Sequence, residues 1–171
     1  MAGISLSVDI NDEAVTQALK RMRRSMADPA PALKEIGEHL QVSVDERFRT
    51  ETDPEGRPWE PLSPFTRANK KNDKILTERG GPGLRGSIHY RVSDGVLEQG
   101  TNKIYGAIHQ LGGTIRAKGG SLAIGDPDGA FALVKQVTIP ARPYLGLSDS
   151  DREAVREILE RHAMPREAGR G

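Results

Sequence analysis

The chain has 171 residues, no cysteine, and 25 basic against 24 acidic side chains, a formal net charge of +1. That balance argues against a dedicated nucleic-acid binder with one dominating basic face, and the missing cysteines exclude disulfides, the usual zinc fingers and thiol catalysis. A content of 36% hydrophobic and 4% aromatic residues fits one domain with a thin core: either a small core under long polar loops, or a fold that draws part of its stability from neighbours. No apolar run approaches the roughly 20 residues that span a bilayer, and Met1 to Asp9 has no basic region followed by an apolar one, so the expectation is a soluble protein made in the cytoplasm.

Residues 3 to 10 place Ile4, Leu6, Val8 and Ile10 on one side and Ser5, Ser7 and Asp9 on the other, the alternation of a half-buried strand. Asn11 or Asp12 then caps a helix with Val15, Ala18, Leu19, Met22 and Met26 on one face. Asp28-Pro29 breaks it. Pro31 opens a second helix that turns Leu33, Ile36, Leu40, Val44 and Phe48 inward and Lys34, Glu38, Asp45 and Arg49 outward. From about 50 to 63 the period is lost, and Pro54, Gly56, Pro58 and Pro61 frame a rigid loop around Trp59. Ser63-Pro64 starts a short basic helix over 64 to 73.

Ser87 to Val92 and Val96 to Gly100 alternate around Ser93-Asp94-Gly95, a hairpin signal. A short helix follows with Ile104, Ala107, Ile108 and Leu111 at helical spacing, and Gly112-Gly113 ends it where a left-handed residue is needed. Thr114 to Arg116, Leu122 to Ile124 and Phe131 to Ile139 are expected as strands, with Asp126-Pro127-Asp128-Gly129 as a turn. Pro140 and Pro143 bracket Ala141 and Arg142, a stiff non-helical connector. Ser148 caps a last helix with an acidic first turn and a stripe of Ala154, Val155, Ile158 and Leu159. The fold class expected is α+β: a single domain over 1 to 163, a mostly antiparallel sheet packed with two N-terminal helices, short inserted helices and a C-terminal helix, then a tail over 164 to 171 with too few apolar groups to pack.

No chemistry-bearing constellation emerges. None of the four histidines pairs at metal-ligand spacing: His109 adjoins an apolar stripe, as a packed histidine does, and His89 falls on the outward phase of its strand. Asp126 to Gly129 resembles the start of a calcium loop but lacks the closing glutamate, and Gly80-Gly81-Pro82-Gly83 neither follows a strand nor opens a Lys-Ser/Thr helix. No catalytic residue, cofactor or metal is assigned. Trp59 either closes an edge of the core or anchors a neighbouring subunit. Arg142 and Tyr144 sit on a proline-stiffened backbone and either face an interface or brace their own domain, Arg142 with a carboxylate partner in the second case. Arg67, Lys70, Lys71 and Lys74 offer passive contact with DNA or form the wet face of a short helix.

Two blocks, GTNKIYGAIHQLGG at 100 to 113 and IPARPYLGLSD at 139 to 149, mix glycine, proline, aromatic and basic residues at fixed places. With TETDPEGRPWEPLSP at 50 to 64, Lys70-Lys71 and ILTERGGPGLRGSIHY at 75 to 90, they keep the order of motifs in the phage virion-morphogenesis family of tail-completion proteins, which the chain resembles from about residue 30 to 162. It departs where Glu78 to Gly83 replaces a shorter Thr-Gly type turn. The resemblance implies a structural virion protein acting at the head-proximal end of a phage tail, where tube growth stops and the tail becomes competent to join the head. It implies as partners further copies of itself in a ring, a hexamer on the usual sixfold symmetry, with the tail-tube protein and neck or head-completion proteins; its place is the neck or tail top of the virion. Trp59, Arg142, Tyr144, Tyr105 and His109 are the interface candidates. A neck adaptor or stopper between portal and tail is the nearest alternative. A small nucleic-acid-binding protein using residues 67 to 74 and the Arg116-Lys118 loop comes next, and an enzyme such as a cell-wall hydrolase last.

Overall fold

A computed structural model describes residues 12–13, 15–17, 19–20, 28–70, 72, 74–77, 83–125 and 131–163. The expected first strand, the turn at 126–129, most of the glycine-rich turn at 78–83 and the C-terminal tail lie outside the described residues. So do Ala18, Met22 and Met26 of the first apolar stripe. Its start is visible: Asp12 Oδ1 accepts the Val15 N–H at 3.3 Å, and Val15 and Leu19 pack against the main core.

The central element is α1, Ala30–Thr50, which begins behind Pro29 with a second proline in its first turn. Every residue of its expected apolar stripe is buried. It stops at Glu51, whose left-handed backbone (φ 58°) returns an N–H to the Arg47 carbonyl. Helix α2, Pro64–Asn69, is capped by Ser63, whose hydroxyl accepts the Thr66 N–H at 3.1 Å. It ends four residues earlier than the sequence pattern suggested, because Lys70 is extended. A 3-10 turn, Arg85–Ser87, leads into the hairpin β1, Ile88–Ser93, and β2, Val96–Thr101, with Ser93 paired to Val96. Asp94 and Gly95 both have positive φ, the two-residue turn whose twist suits a hairpin.

Helix α3, Gly106–Leu111, precedes four short strands, β3 Gly113–Arg116, β4 Leu122–Gly125, β5 Phe131–Val134 and β6 Gln136–Ile139, and α4, Asp149–Ala163, closes the described chain. The fold is α+β, and among the described residues its strands form three two-stranded antiparallel pairs: β1–β2, β3–β6 and β4–β5. The last two pairs are nested, so residues 113–125 and 131–139 make one interrupted ribbon. Between the pairs Arg116–Gln136 and Leu122–Val134, residues 117–121 face Lys135 alone, which is why the strand expected over 131–139 breaks at that residue. The Ala117 N–H bonds the Lys135 carbonyl at 3.0 Å, and Lys135 Nζ reaches the Gly120 carbonyl at 2.6 Å. Of the strand pairs, the hairpin β1–β2 makes the broad contact with α1.

The core has two parts along α1. Ala32, Leu33, Ile36 and Leu40 meet Leu147 and the α4 residues Val155, Ile158 and Leu159 in the first. Val44 and Phe48 meet Trp59, Ile75, Leu84, Ile88, Tyr144 and Leu145 in the second. At their junction Arg47 is buried with Asp151. Arg47 Nη2 bonds Asp151 Oδ2 at 2.5 Å and Ser43 Oγ at 3.1 Å, while Nη1 donates to the carbonyls of Tyr144 at 3.0 Å and Gly146 at 2.9 Å. Asp151 Oδ2 also accepts the Ser148 N–H at 2.9 Å and hydroxyl at 2.7 Å, and Ser148 Oγ accepts the Asp151 N–H at 3.0 Å, so the cap of α4 and the ion pair share one carboxylate. His39 Nε2 completes the set at 3.1 Å from Asp151 Oδ1.

Burial pushes the Asp151 carboxyl up, but the Ser148 and Ser43 hydrogen bonds and the Arg47 charge outweigh it and leave its pKa lowered. A depressed carboxylate contributes stability above its unfolded pKa, near 3.9, and loses it as pH falls through the lower folded value. Asp151→Asn should therefore lower stability near neutral pH by about 3–5 kcal/mol, since it leaves a buried guanidinium without a counter-charge. Its thermal unfolding should also fall less steeply below pH 4 than that of the native chain. Parallel acid limbs for the two proteins in melting curves would contradict this.

Candidate functional site

Residues 140–147, between β6 and α4, cross both parts of the core as an irregular strap. It has no strand partner, so its backbone groups must be satisfied by other means. Side chains do so almost residue by residue. Trp59 Nε1 donates to the Pro143 carbonyl at 2.8 Å. Gln110 lays its amide along the strap: Oε1 accepts the N–H groups of Tyr144 and Leu145, both at 3.0 Å, and Nε2 donates to the Leu145 carbonyl at 2.9 Å. Arg47 takes the carbonyls of Tyr144 and Gly146, and the Arg142 N–H bonds the His109 carbonyl at 2.7 Å. Pro140 and Pro143 have no N–H to satisfy.

The strap's side chains tie back in return. Tyr144 is fully enclosed; its hydroxyl donates to the Gly106 carbonyl at 3.0 Å, and burial pushes its pKa up to about 12. A Cβ on Gly106 would stand 2.5 Å from Thr101 Cγ2 and 3.0 Å from the Tyr144 hydroxyl, so only glycine fits beneath that ring. Thr101 is held in turn by Ser87 Oγ at 2.6 Å and by the Lys103 N–H at 3.1 Å. Arg142 donates to the carbonyls of Glu60 at 2.7 Å and Pro61 at 2.9 Å, fastening the Trp59 loop to the strap. That loop is itself closed by Asp53, whose carboxylate takes the Arg57 N–H at 2.8 Å and Arg57 Nε at 2.7 Å.

The structure thus divides the five interface candidates. Trp59, Arg142 and Tyr144 are buried in their own domain, at 4%, 6% and 0% exposure. Arg142 pairs with backbone carbonyls and not with a carboxylate. Trp59 packs edge-on against Phe48, 5.3 Å between ring centres. Side chains enclosed this way hold the fold, and touching a neighbouring subunit would require the strap to lift. Tyr105 and His109 are half-buried, 6.1 Å apart edge to face, and line an open cleft of about 780 Å³. Its walls are mostly apolar: Pro61, Leu62 and Leu76 on one side, Val137 and Ile139 of β6 on the other, with Glu60 at the rim. The exposed large apolar side chains include Ile104 and Leu111 around α3 and Ile115 and Leu133 on the ribbon.

The remaining sequence readings resolve individually. His89 is exposed. Arg67 lies in α2, whereas Lys70 and Lys74 lie beyond its end at Asn69; Lys74 is 4.0 Å from Glu51, and Lys70 reaches the Lys74 carbonyl. Among the described residues no group of three or more His, Asp or Glu is placed to hold a metal ion, and no helix is long and apolar enough to cross a membrane. Arg47, Asp151 and Gln110, which organise the strap, were not singled out from sequence. Arg47 had a signal, a charge on the inward phase three residues after Val44, and so did the Ser148-x-x-Asp151 spacing; Gln110 had none.

Gly112 has φ 70° and ψ 178°, so its positive φ is as expected but it is extended rather than left-handed helical. A Cβ there would lie 2.7 Å from the Ala141 nitrogen. Gly112→Val should destabilise the chain by on the order of 3 kcal/mol, from strain and overpacking together. Trp59→Ala should remove about 3–5 kcal/mol and Trp59→Phe about 1–3, the latter isolating the unpaired Pro143 carbonyl. Chemical denaturation of the three variants checks both; a Trp59→Ala protein as stable as the native one would remove the loop from the core.

Comparison with known proteins places these elements in context. The model of the phage virion morphogenesis family matches residues 10–163, which takes in the Trp59 loop, α3, the ribbon, the strap and α4. Two relatives from Haemophilus influenzae are similar along most of their length. Mu-like prophage FluMu G protein 1 is 28% identical over 151 residues, covering 86% of this chain and 87% of the relative. Mu-like prophage FluMu G protein 2 is 28% identical over 157 residues, covering 91% and 94%. No solved structure matches the chain.

Proposed function

Because the chain belongs to the phage virion morphogenesis family, we propose that it is a structural protein of a tailed phage or prophage that completes the tail at its head-proximal end. The observation that carries this reading is the family match across residues 10–163, together with relatives of nearly the same length named for a Mu-like prophage. Its role is assembly rather than catalysis. A tube of identical subunits ends in an open copy of its own interface; a terminator must occupy that end and present no further copy of it, while offering the neck a new surface. A ring of this chain matched to the tube's symmetry, six copies on the usual sixfold axis, does both. Its partners are then the tail-tube protein on one face and neck or head-completion proteins on the other.

The architecture suits that task. The strap is tied down by its side-chain clamps, and the cleft beside it is open. Deleting the gene should yield heads and tails that are both made but not joined, with loss of infectious particles. Electron microscopy of lysates distinguishes the roles: tails of uncontrolled length indicate lost termination, and tails of normal length lying free indicate lost joining. A neck adaptor would instead leave normal tails beside heads with an incomplete neck. Normal, joined, infectious virions would overturn the proposal.

A further inference from the structure

Arg142 is only 6% exposed, yet part of its guanidinium is left over by the contacts that hold it. Nε donates to the Glu60 carbonyl and Nη2 to the Pro61 carbonyl. Nη1 keeps two N–H groups that nothing among the described residues accepts. It is not sealed in, so its open side is the cleft that Arg142 lines. The charge is equally unmatched. Among the described residues Arg142 has two carbonyls for partners and no carboxylate; burial lowers its pKa, and the Glu60 charge acts the other way. A cation withdrawn from water without a counter-ion costs the fold free energy that an incoming anion offsets.

The cleft around Arg142 selects the anion. Among the described residues its charged lining is Lys70 and Arg142 against Glu60, two cations to one anion, while Pro61, Leu62, Val137 and Ile139 make its walls apolar. On β6 the half-buried Val137 and Ile139 alternate with the exposed Gln136 and Thr138, so the apolar wall repeats at every second residue. A phosphate backbone is held by its charge alone, and apolar walls give it nothing. A carboxylate flanked by apolar side chains satisfies both features of the lining. At about 780 Å³ the space suits a short chain segment rather than a folded surface. The flat face of a subunit cannot pass the strap, whereas a narrow segment entering the cleft reaches Arg142 with the strap in place. Arg142 is also set before a partner arrives. Pro140 and Pro143 stiffen its backbone and two carbonyls hold its fork, so little freedom is lost on binding.

We propose that the cleft beside the strap binds an acidic, otherwise apolar segment of another virion protein, whose carboxylate accepts from Arg142 Nη1 and whose flanking side chains lie on Val137 and Ile139. The proposal rests on the assembly reading above in taking the segment from a virion partner. Overlapping short peptides covering the other virion proteins of the same phage, and this chain itself, are tested for binding to the full native chain by fluorescence anisotropy. Those that bind should carry Asp or Glu between apolar residues. Changing that acid to Asn or Gln should weaken binding by at least about tenfold, since the buried cation is again left unpaired. In native chain labelled with ¹⁵N-arginine, the Arg142 guanidinium signals should move on saturation with the acidic peptide. Ala141→Glu sets a carboxylate beside Arg142 at an exposed position of the lining, so it should weaken the same peptide by a similar factor while the unfolding temperature holds. If that variant unfolds, the amide peptides and the arginine signals of the native chain decide alone. Binding that ignores the acid, Arg142 signals unmoved at saturation, binding confined to this chain's own peptides, displacement by a DNA oligonucleotide at constant ionic strength, or no binding peptide at all would overturn the proposal. None of these outcomes touches the tail-completion reading, which the deletion phenotype decides.

Discussion

One buried carboxylate sets the geometry of this domain. Asp151 accepts from Arg47 and from both donors of Ser148, so the start of α4, the middle of α1 and two carbonyls of the strap meet at a single ion pair. A buried pair of this kind adds little net stability compared with well-packed apolar residues, because both charges must leave water. What it supplies is position. Arg47 has a planar fork of donors and can hold an ion pair and two carbonyls at once, whereas an apolar residue there would let the strap slide along α1.

Position matters because the strap has no ladder of its own. A segment of irregular backbone through a core must find a partner for each polar group. Here Trp59, Gln110 and Arg47 serve successive carbonyls and N–H groups from Pro143 to Gly146. The two blocks at 100 to 113 and 139 to 149, which drew attention as the resemblance to the family, are thus the two halves of one packed unit: α3 supplies Gly106 and Gln110, and the strap supplies Tyr144 and the backbone they grip. Their unusual composition answers to folding, with prolines where no N–H is wanted and a glycine where a ring must pass close.

That division shifts where interaction with neighbours is to be sought. Trp59, Arg142 and Tyr144, conspicuous in the sequence, are inside, whereas Tyr105 and His109 line the open cleft. The composition is consistent with this: a chain with 4% aromatic residues spends two of its largest, Trp59 and Tyr144, beside Phe48 in one cluster.

The sequence by itself determined the elements with a strong local period and the family. The stripes of α1 and α4, the Asp94-Gly95 hairpin, the Ser63 and Ser148 caps and the positive φ of Gly112 all follow from interactions within a few residues, which is why they were legible. Tertiary structure alone decided three further points. The early end of α2 at Asn69 goes against a local basic pattern, and local pattern does not say how far the helix runs. Among the described residues the last four strands form two nested pairs, because the five residues facing Lys135 shift the register by an amount no alternation encodes. The burial of Trp59, Arg142 and Tyr144 depends on distant partners, such as Arg47, 97 residues from Tyr144, and Gly106, 38 residues from it. An arginine between two prolines looks the same from sequence whether it faces a neighbour or its own backbone; only the carbonyls of Glu60 and Pro61, brought up by a distant loop, decide which.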